Sequence, residues 1–273
     1  MDALAVKPPF AWQPLTLRGV AAFAYARCGR LLVVQFLVAL LAAATVVWFL
    51  LTAWFPIIGQ AISQLPPAGE IRSGRLQWQG PSPATLAEGR FLAFTVDLNH
   101  VGTARSPAHI QVEFGQTGYD IFSLLGYVGH DYRPEWVVPF NREYLLPWWG
   151  AWKPALLGIA TLLVVATLML VWIALATLYA LPVWLLGFFA NRDLSFRGSW
   201  CLAGAALMPG ALLMLAAIFL YGLDALGVIE LAVAAALHLV IGWFYLVSAT
   251  LRLPLLPAAK GAKQNPFVPH AGP

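Results

Sequence analysis

The sequence predicts a membrane protein: an α-helical bundle of four transmembrane helices, with a small extracytoplasmic β-rich domain inserted between helices 1 and 2. Three observations carry this. Hydrophobic residues make up 60% of the 273-residue chain and charged residues only 10%, against about 25% charged in a soluble domain. Four apolar runs, 31–55, 154–190, 200–222 and 226–251, each exceed the roughly 20 residues that cross a hydrocarbon core of about 30 Å. Between the first two runs lies a stretch with short alternating patterns broken by Gly and Pro.

Residues 1–30 form the first segment and carry Lys7, Arg18, Arg27 and Arg30. The apolar run 31–55 follows without a charge and is read as transmembrane helix 1. Arg27, Arg30 and the alanines at 42–44 resemble parts of a signal peptide. The apolar run continues well past Ala44, through Trp48 and Trp54, so an uncleaved anchor is expected.

Residues 56–153 are expected to form the extracytoplasmic domain. PIIGQAISQL (56–65) reads as a short helix ended by Pro66 and Pro67. EIRSGRLQW (70–78) has two strand-like halves around Ser73 and Gly74. FLAFTVDLNH (91–100) and AHIQVEFG (108–115) are further strands, and EWVVPF (135–140) is a weaker one. Four short strands in one sheet, half-covered by the 56–65 helix or by the membrane surface, satisfy these patterns. Trp136, Trp148, Trp149 and Trp152 precede the second span, where indole rings favour the headgroup region.

Residues 154–252 are read as a three-helix membrane domain with spans at 154–179, 200–222 and 226–251. The run 154–190 is too long for one crossing. Pro182 disfavours a straight helix, so 182–190 is expected as an interfacial helix after a bend. In the third span, Pro209 with Gly204, Ala205, Ala206 and Gly210 predicts close packing and a local kink. Residues 253–273 are Pro/Gly-rich and polar after Lys260, and read as a disordered cytoplasmic tail.

Charge orients the chain. The segments 1–30, 191–199 and 252–273 hold nine basic residues, the four above with Arg192, Arg197, Arg252, Lys260 and Lys263. They hold two acidic residues, Asp2 and Asp193, whereas the remainder holds seven basic and ten acidic. Positive charge marks the cytoplasmic side of short loops. Four spans place all three basic segments there, with both termini cytoplasmic. Cys28 and Cys201 lie in different segments and suggest no disulfide, and no N-x-S/T sequon occurs. The localisation expected is therefore a bacterial inner membrane.

LPPAGEIRSGRLQW, then FTVDLNH, then SFRGSWCLAGAALMPGALL, in this order around one N-terminal span and three clustered ones, resemble a bacterial family of membrane proteins of unknown function. Some members are labelled maltodextrin utilization protein. The likeness covers residues 30–252 in layout. Its sharpest points are Leu65, Pro66, Ile71, Gly74 and Leu76, with the pair Val96–Asp97. The last three spans resemble the Yip-type membrane domain, which implies membrane organisation rather than catalysis. The resemblance transfers no catalytic residues.

Within the spans, His238, Glu230 and Gln35 form the candidate polar site. Ionisable groups at membrane depth are costly and face a bundle interior or a watery cavity. Glu230 and His238 fall on roughly one helix face and would suit a proton or ion route. The alternative is a neutral His238 bonded locally, with Gln35 joining helices. Outside the membrane, Asp97, His100, His109, His130 and Asp131 invite a metal reading, but their spacing matches no ligand pattern. Asp97 and His100, three apart in a strand-like segment, would face opposite ways. No catalytic, metal or cofactor residues are therefore assigned, and no nucleotide or hydrolase motif is present. Scattered, acid-matched basic residues argue against nucleic acid as a partner. Lipid and a membrane protein are the partners expected. The function expected is a non-enzymatic accessory or scaffold subunit of an envelope or transport system. The alternatives are a transporter or proton-coupled component using His238 and Glu230, and a membrane enzyme acting on a lipid-linked substrate.

Overall fold

The computed structural model describes residues 11–256. The chain divides into two compact units. One is built from residues 43–163, the other from the described residues before 43 and after 163. The expected tail and the first ten residues lie, wholly or in large part, outside the described residues.

Among the described residues, four helices are long and apolar enough to cross a membrane: Cys28–Ser63, Arg142–Phe189, Phe196–Gly222 and Val228–Leu251. The chain is thus a multi-pass membrane protein by the physical criteria of length and composition. Along Arg142–Phe189, Ile159, Leu162, Leu163, Leu170, Leu178 and Phe189 are 55–78% exposed. A soluble protein rarely leaves so long an apolar stripe in water, and lipid is the solvent that suits it.

The helices depart from the expected boundaries at their prolines. After α1 (Leu17–Ala22) and a 3-10 turn at Phe23–Tyr25, α2 runs from Cys28 to Phe49. It does not end at residue 55. A π-turn at Leu50–Trp54 leads directly into α3, Phe55–Ser63. Pro56 cannot donate to the preceding turn, and the wider π-turn, where the Phe55 N–H reaches Leu50 O, absorbs that gap. Helix α4 is unbroken from Arg142 to Phe189. The break expected near Pro182 is absent, and 182–190 is no separate interfacial helix but chiefly the last turns of α4. Neighbouring residues in an apolar medium keep their own helical bonds, so one missing donor does not end the helix. At 1.5 Å per residue α4 is about 72 Å long. The third span does break: α5 (Phe196–Ala206) and α6 (Met208–Gly222) meet at Leu207, just ahead of Pro209. Helix α7 occupies Val228–Leu251.

In the helical unit, α5 is the hub. Cys201, Leu202, Ala203, Ala205 and Ala206 are fully buried. They pack with Val20, Phe23 and Ala24, with Leu31 and Val34 of α2, Val183 of α4, and Leu246 and Ala249 of α7. Small side chains permit this close approach. A Cβ on Gly198 would sit 2.5 Å from Ala24 O, and one on Gly210 would strike the carbonyl oxygen of His238. Ser195 caps α5 by accepting the Gly198 N–H at 3.1 Å.

The other unit carries two sheets rather than the single four-stranded one expected. A three-stranded sheet has the order β2 (Arg75–Trp78), β1 (Gly69–Arg72), β8 (Val137–Pro139). A five-stranded sheet runs β3 (Ala84–Glu88), β4 (Leu92–Val96), β5 (Ile110–Phe114), β6 (Gly118–Ser123), β7 (Gly126–Asp131). Ser73 and Gly74, with φ of 54° and 72°, make the tight turn expected between β1 and β2. The unit's apolar core gathers Leu76, Leu86, Val96, Tyr132 and Phe140, and the expected helix covers it through Ala61 of α3 and Leu65 just beyond its end.

Candidate functional site

The five-stranded sheet has two faces of opposite character. Strands β4 and β5 pair in parallel, with Phe94 opposite Val112 and Thr95 opposite Glu113. Side chains alternate, so Phe94, Val96, Val112 and Phe114 share the apolar face, and Thr95, Gln111 and Glu113 share the other. That second face is polar yet buried: Thr95, Asp97, Gln111 and Glu113 are 0–2% exposed.

The cover is the connection between β4 and β5. Parallel neighbours need a long crossover, usually a helix. Here residues 97–109 make the crossover without one, and long irregular connections of this kind tend to be functional. The segment is tied down by side chains from the sheet. Gln111 Nε2 donates to Thr95 Oγ1 at 2.9 Å and to Ala104 O at 3.0 Å, while its Oε1 accepts the Ser106 N–H at 2.9 Å. Ser106 Oγ donates to Glu88 Oε1 at 2.7 Å. Asp97 Oδ2 accepts the Gly102 N–H at 2.9 Å. Burial pushes the Asp97 carboxyl up, but the N–H groups of Gly102, Val101 and Asn99, helped by His100, outweigh it and hold the group below its ordinary value.

At one end of this face His100, Glu113 and Asp120 converge, their ligand atoms within 4.8 Å of one another. His100 Nδ1 lies 3.0 Å from Glu113 Oε1 and 3.4 Å from Asp120 Oδ2. Glu113 and Asp120 are direct cross-strand partners. Like charges so placed repel, and a positive group between them relieves this. Arg105 approaches from the crossover, with Nη1 3.6 Å from Glu113 Oε2 and its guanidinium 3.5 Å above the Phe122 ring. Two glycines clear the space. A Cβ on Gly115 would collide with the His100 ring, and one on Gly129 would sit 2.5 Å from Asp120 Oδ1. His100 adopts φ of 51°, a left-handed conformation uncommon outside glycine.

The metal candidates read from sequence are thus only partly assembled. Asp97 and His100 do not face opposite ways along a strand. They belong to one turn, with the His100 N–H donating to Asp97 O at 3.2 Å. His130 pairs with Tyr119 and sits on the opposite face from Asp120. His109 packs its ring edge-on to Phe91 at 5.5 Å, and burial with neighbouring Arg90 lowers its pKa. Sequence reasoning missed Glu113 and Asp120. A signal was present: a turn at Gly115–Gly118 pairs 113 with 120.

The intramembrane candidates do not converge. Glu230 Oε2 accepts the Gly227 N–H at 2.9 Å and caps α7. His238 Nδ1 contacts the carbonyl of Ala235, one turn back on its own helix. Gln35, fully buried, donates from Nε2 to Gly204 O at 3.5 Å, and its Oε1 accepts no hydrogen bond. No hydrogen bond or ion pair joins these three residues. The cysteines do meet: Cys28 Sγ and Cys201 Sγ are 2.9 Å apart as free thiols, with Arg197 Nε 3.3 Å from Cys28 Sγ. The two cysteines lie in different segments of the sequence. The packing of α5 on the start of α2 brings them together.

The basic segments are gathered too. Tyr25 donates to Asp193 O at 2.8 Å, and Arg192 Nη1 donates to Leu253 O at 2.7 Å. The Asp193 N–H donates to Pro254 O, and the Leu256 N–H to Asn191 O. The segment before α2, the 191–195 loop and the segment after α7 therefore meet at one end of the helical unit.

No protein-family model matches this chain, and neither a curated protein nor a solved structure is significantly similar to it.

Proposed function

We propose that the chain is a non-enzymatic inner-membrane protein, an accessory or scaffold subunit of an envelope or transport system. Both termini are cytoplasmic and residues 56–153 lie outside. The observation that carries the reading is the dispersal of the intramembrane polar groups. Glu230 and His238 each contact the backbone of their own helix or its cap, and Gln35 separately reaches Gly204 O of α5. A proton or ion route needs polar groups within relay distance, and a lone helix-capping carboxylate is not one. The orientation rests on the basic segments: their meeting at one end of the helical unit is what a shared cytoplasmic side requires.

The test is reconstitution. Purified protein in sealed vesicles should give no proton or sugar flux above protein-free vesicles, and His238→Leu should not alter that. Flux that disappears in His238→Leu while the protein still inserts would overturn the reading in favour of a proton-coupled transporter.

A further inference from the structure

We propose that His100, Glu113 and Asp120 form a binding site for a divalent first-row transition cation, of the Zn2+ or Mn2+ class. The proposal concerns the β unit alone and does not rest on the accessory role. The geometry is the first support. Metal–ligand distances of about 2.0–2.2 Å place adjacent ligand atoms about 3.0–3.5 Å apart in octahedral or tetrahedral coordination. His100 Nδ1 stands 3.0 Å from Glu113 Oε1 and 3.4 Å from Asp120 Oδ2.

The second support is independent of the spacing. Glu113 is fully buried, and its Oε2 accepts no hydrogen bond. Arg105 Nη1 forms an ion pair with that oxygen at 3.6 Å, too long for a hydrogen bond. Glu113 is thus a fully buried carboxylate answered at Oε2 only by a long ion pair, and a cation held at Oε1 beside His100 would neutralise it further. The donor set then selects the ion. Imidazole nitrogen suits Zn2+, the two carboxylates also suit Mn2+, and Mg2+ and Ca2+ prefer oxygen alone. Access is available because the side chains of His100 and Asp120 are 45% and 22% exposed, so water can complete the coordination. One bound ion would fasten the 97–109 crossover to the β5–β6 hairpin.

The rival state has no metal: His100 and Arg105 alone answer the two carboxylates. The experiment separates them. The full-length protein, purified in detergent without a histidine tag and stripped with a chelator, is dialysed against ZnCl2 or MnCl2 and its bound metal measured. MgCl2 serves as the comparison. The expected result is one equivalent of Zn2+ or Mn2+. Affinity should fall at least tenfold in both His100→Gln and Asp120→Asn, the latter altering the more exposed carboxylate. The metal should also raise the thermal transition of the wild type, by about 5 °C at hundredfold excess over Kd, and at the same concentration raise that of either variant by at most about half as much. Circular dichroism of the metal-free variants should match the wild type. Failure to bind, or binding that neither variant changes, would overturn the site.

Discussion

The two units bury polar side chains in opposite ways. In the helical unit, each buried polar group finds a partner nearby on its own helix or one contact away. Thr250 donates to Leu246 O at 2.7 Å, Ser199 to Phe196 O at 2.6 Å, and Gln35 reaches one carbonyl across a helix pair. In the β unit, Thr95, Asp97, Gln111 and Glu113 are linked through a loop that none of them belongs to except Asp97. The difference follows from backbone geometry. A helix offers a carbonyl one turn back to any short hydroxyl. A strand has no such acceptor, because its own carbonyls are committed to the ladder and its side chains point away from them. Polar groups on a buried sheet face must therefore be satisfied by another segment, and that segment becomes part of the site.

The contrast predicts unequal costs for similar substitutions. Gln111→Leu removes three hydrogen bonds at once and leaves the Ser106 N–H and Ala104 O without that partner. At about 1–3 kcal/mol per unsatisfied buried group, it should destabilise the β unit by roughly 2–4 kcal/mol. Hydrogen exchange across residues 97–109 should accelerate. Gln35→Leu should cost far less, near the average of about 0.6 kcal/mol for interhelical bonds in membranes. Equal losses in the two variants, read from thermal or denaturant unfolding, would break the comparison.

Gly210→Ala probes the close contact of α6 with α7 in the helical unit. The added methyl meets the backbone oxygen of His238, which cannot rotate aside. The α6–α7 pair must then separate, at about 1–3 kcal/mol for overpacking. Gly158→Ala, with nothing within 4 Å of its Cβ position, should be neutral or slightly stabilising.

How much of this was legible in the sequence divides along the same line. The spans, the Ser73–Gly74 turn, the helix over 56–65 and the Pro209 break were legible because each depends on local composition. Pro182 misled because a proline's missing donor is a local signal, while the persistence of α4 depends on its apolar surroundings. Strands β3, β6 and β7 were not legible: ATLAE is rich in helix formers, and GYVGHD carries two glycines. Glycine weakens a strand on its own, yet Gly129 is required where Asp120 crosses β7. Glu113 occupies a polar position of an alternating strand. Its burial comes from a loop whose path no periodicity encodes.

Acid sharpens the contrast further. The Asp97 carboxyl is held below its ordinary value of 3.8. Its contribution is therefore complete above that value and is lost as pH falls through the lower folded one. Asp97→Asn should flatten the acid limb of stability for the β unit, measured by near-ultraviolet dichroism between pH 5 and 2. A limb as steep as the wild type's would assign the loss to other carboxylates.

A smaller effect is chemical. Mild copper–phenanthroline oxidation of the full-length protein should join Cys28 to Cys201 in high yield, and Cys201→Ser should abolish the link. Mass spectrometry of the digested chain reads the bond directly. Failure of the wild type to form it would contradict the packing of α5 on the start of α2.

The proposed four-span topology, with the β unit outside the cytoplasm, has a direct measurement. A reporter enzyme active only outside the cytoplasm is fused after Gly118 in the β unit, and separately after Arg197 and after Lys260. The account predicts activity at Gly118 and silence at the other two sites. Activity at Arg197 would place that loop outside, add a crossing within residues 154–190, and contradict the four-span arrangement.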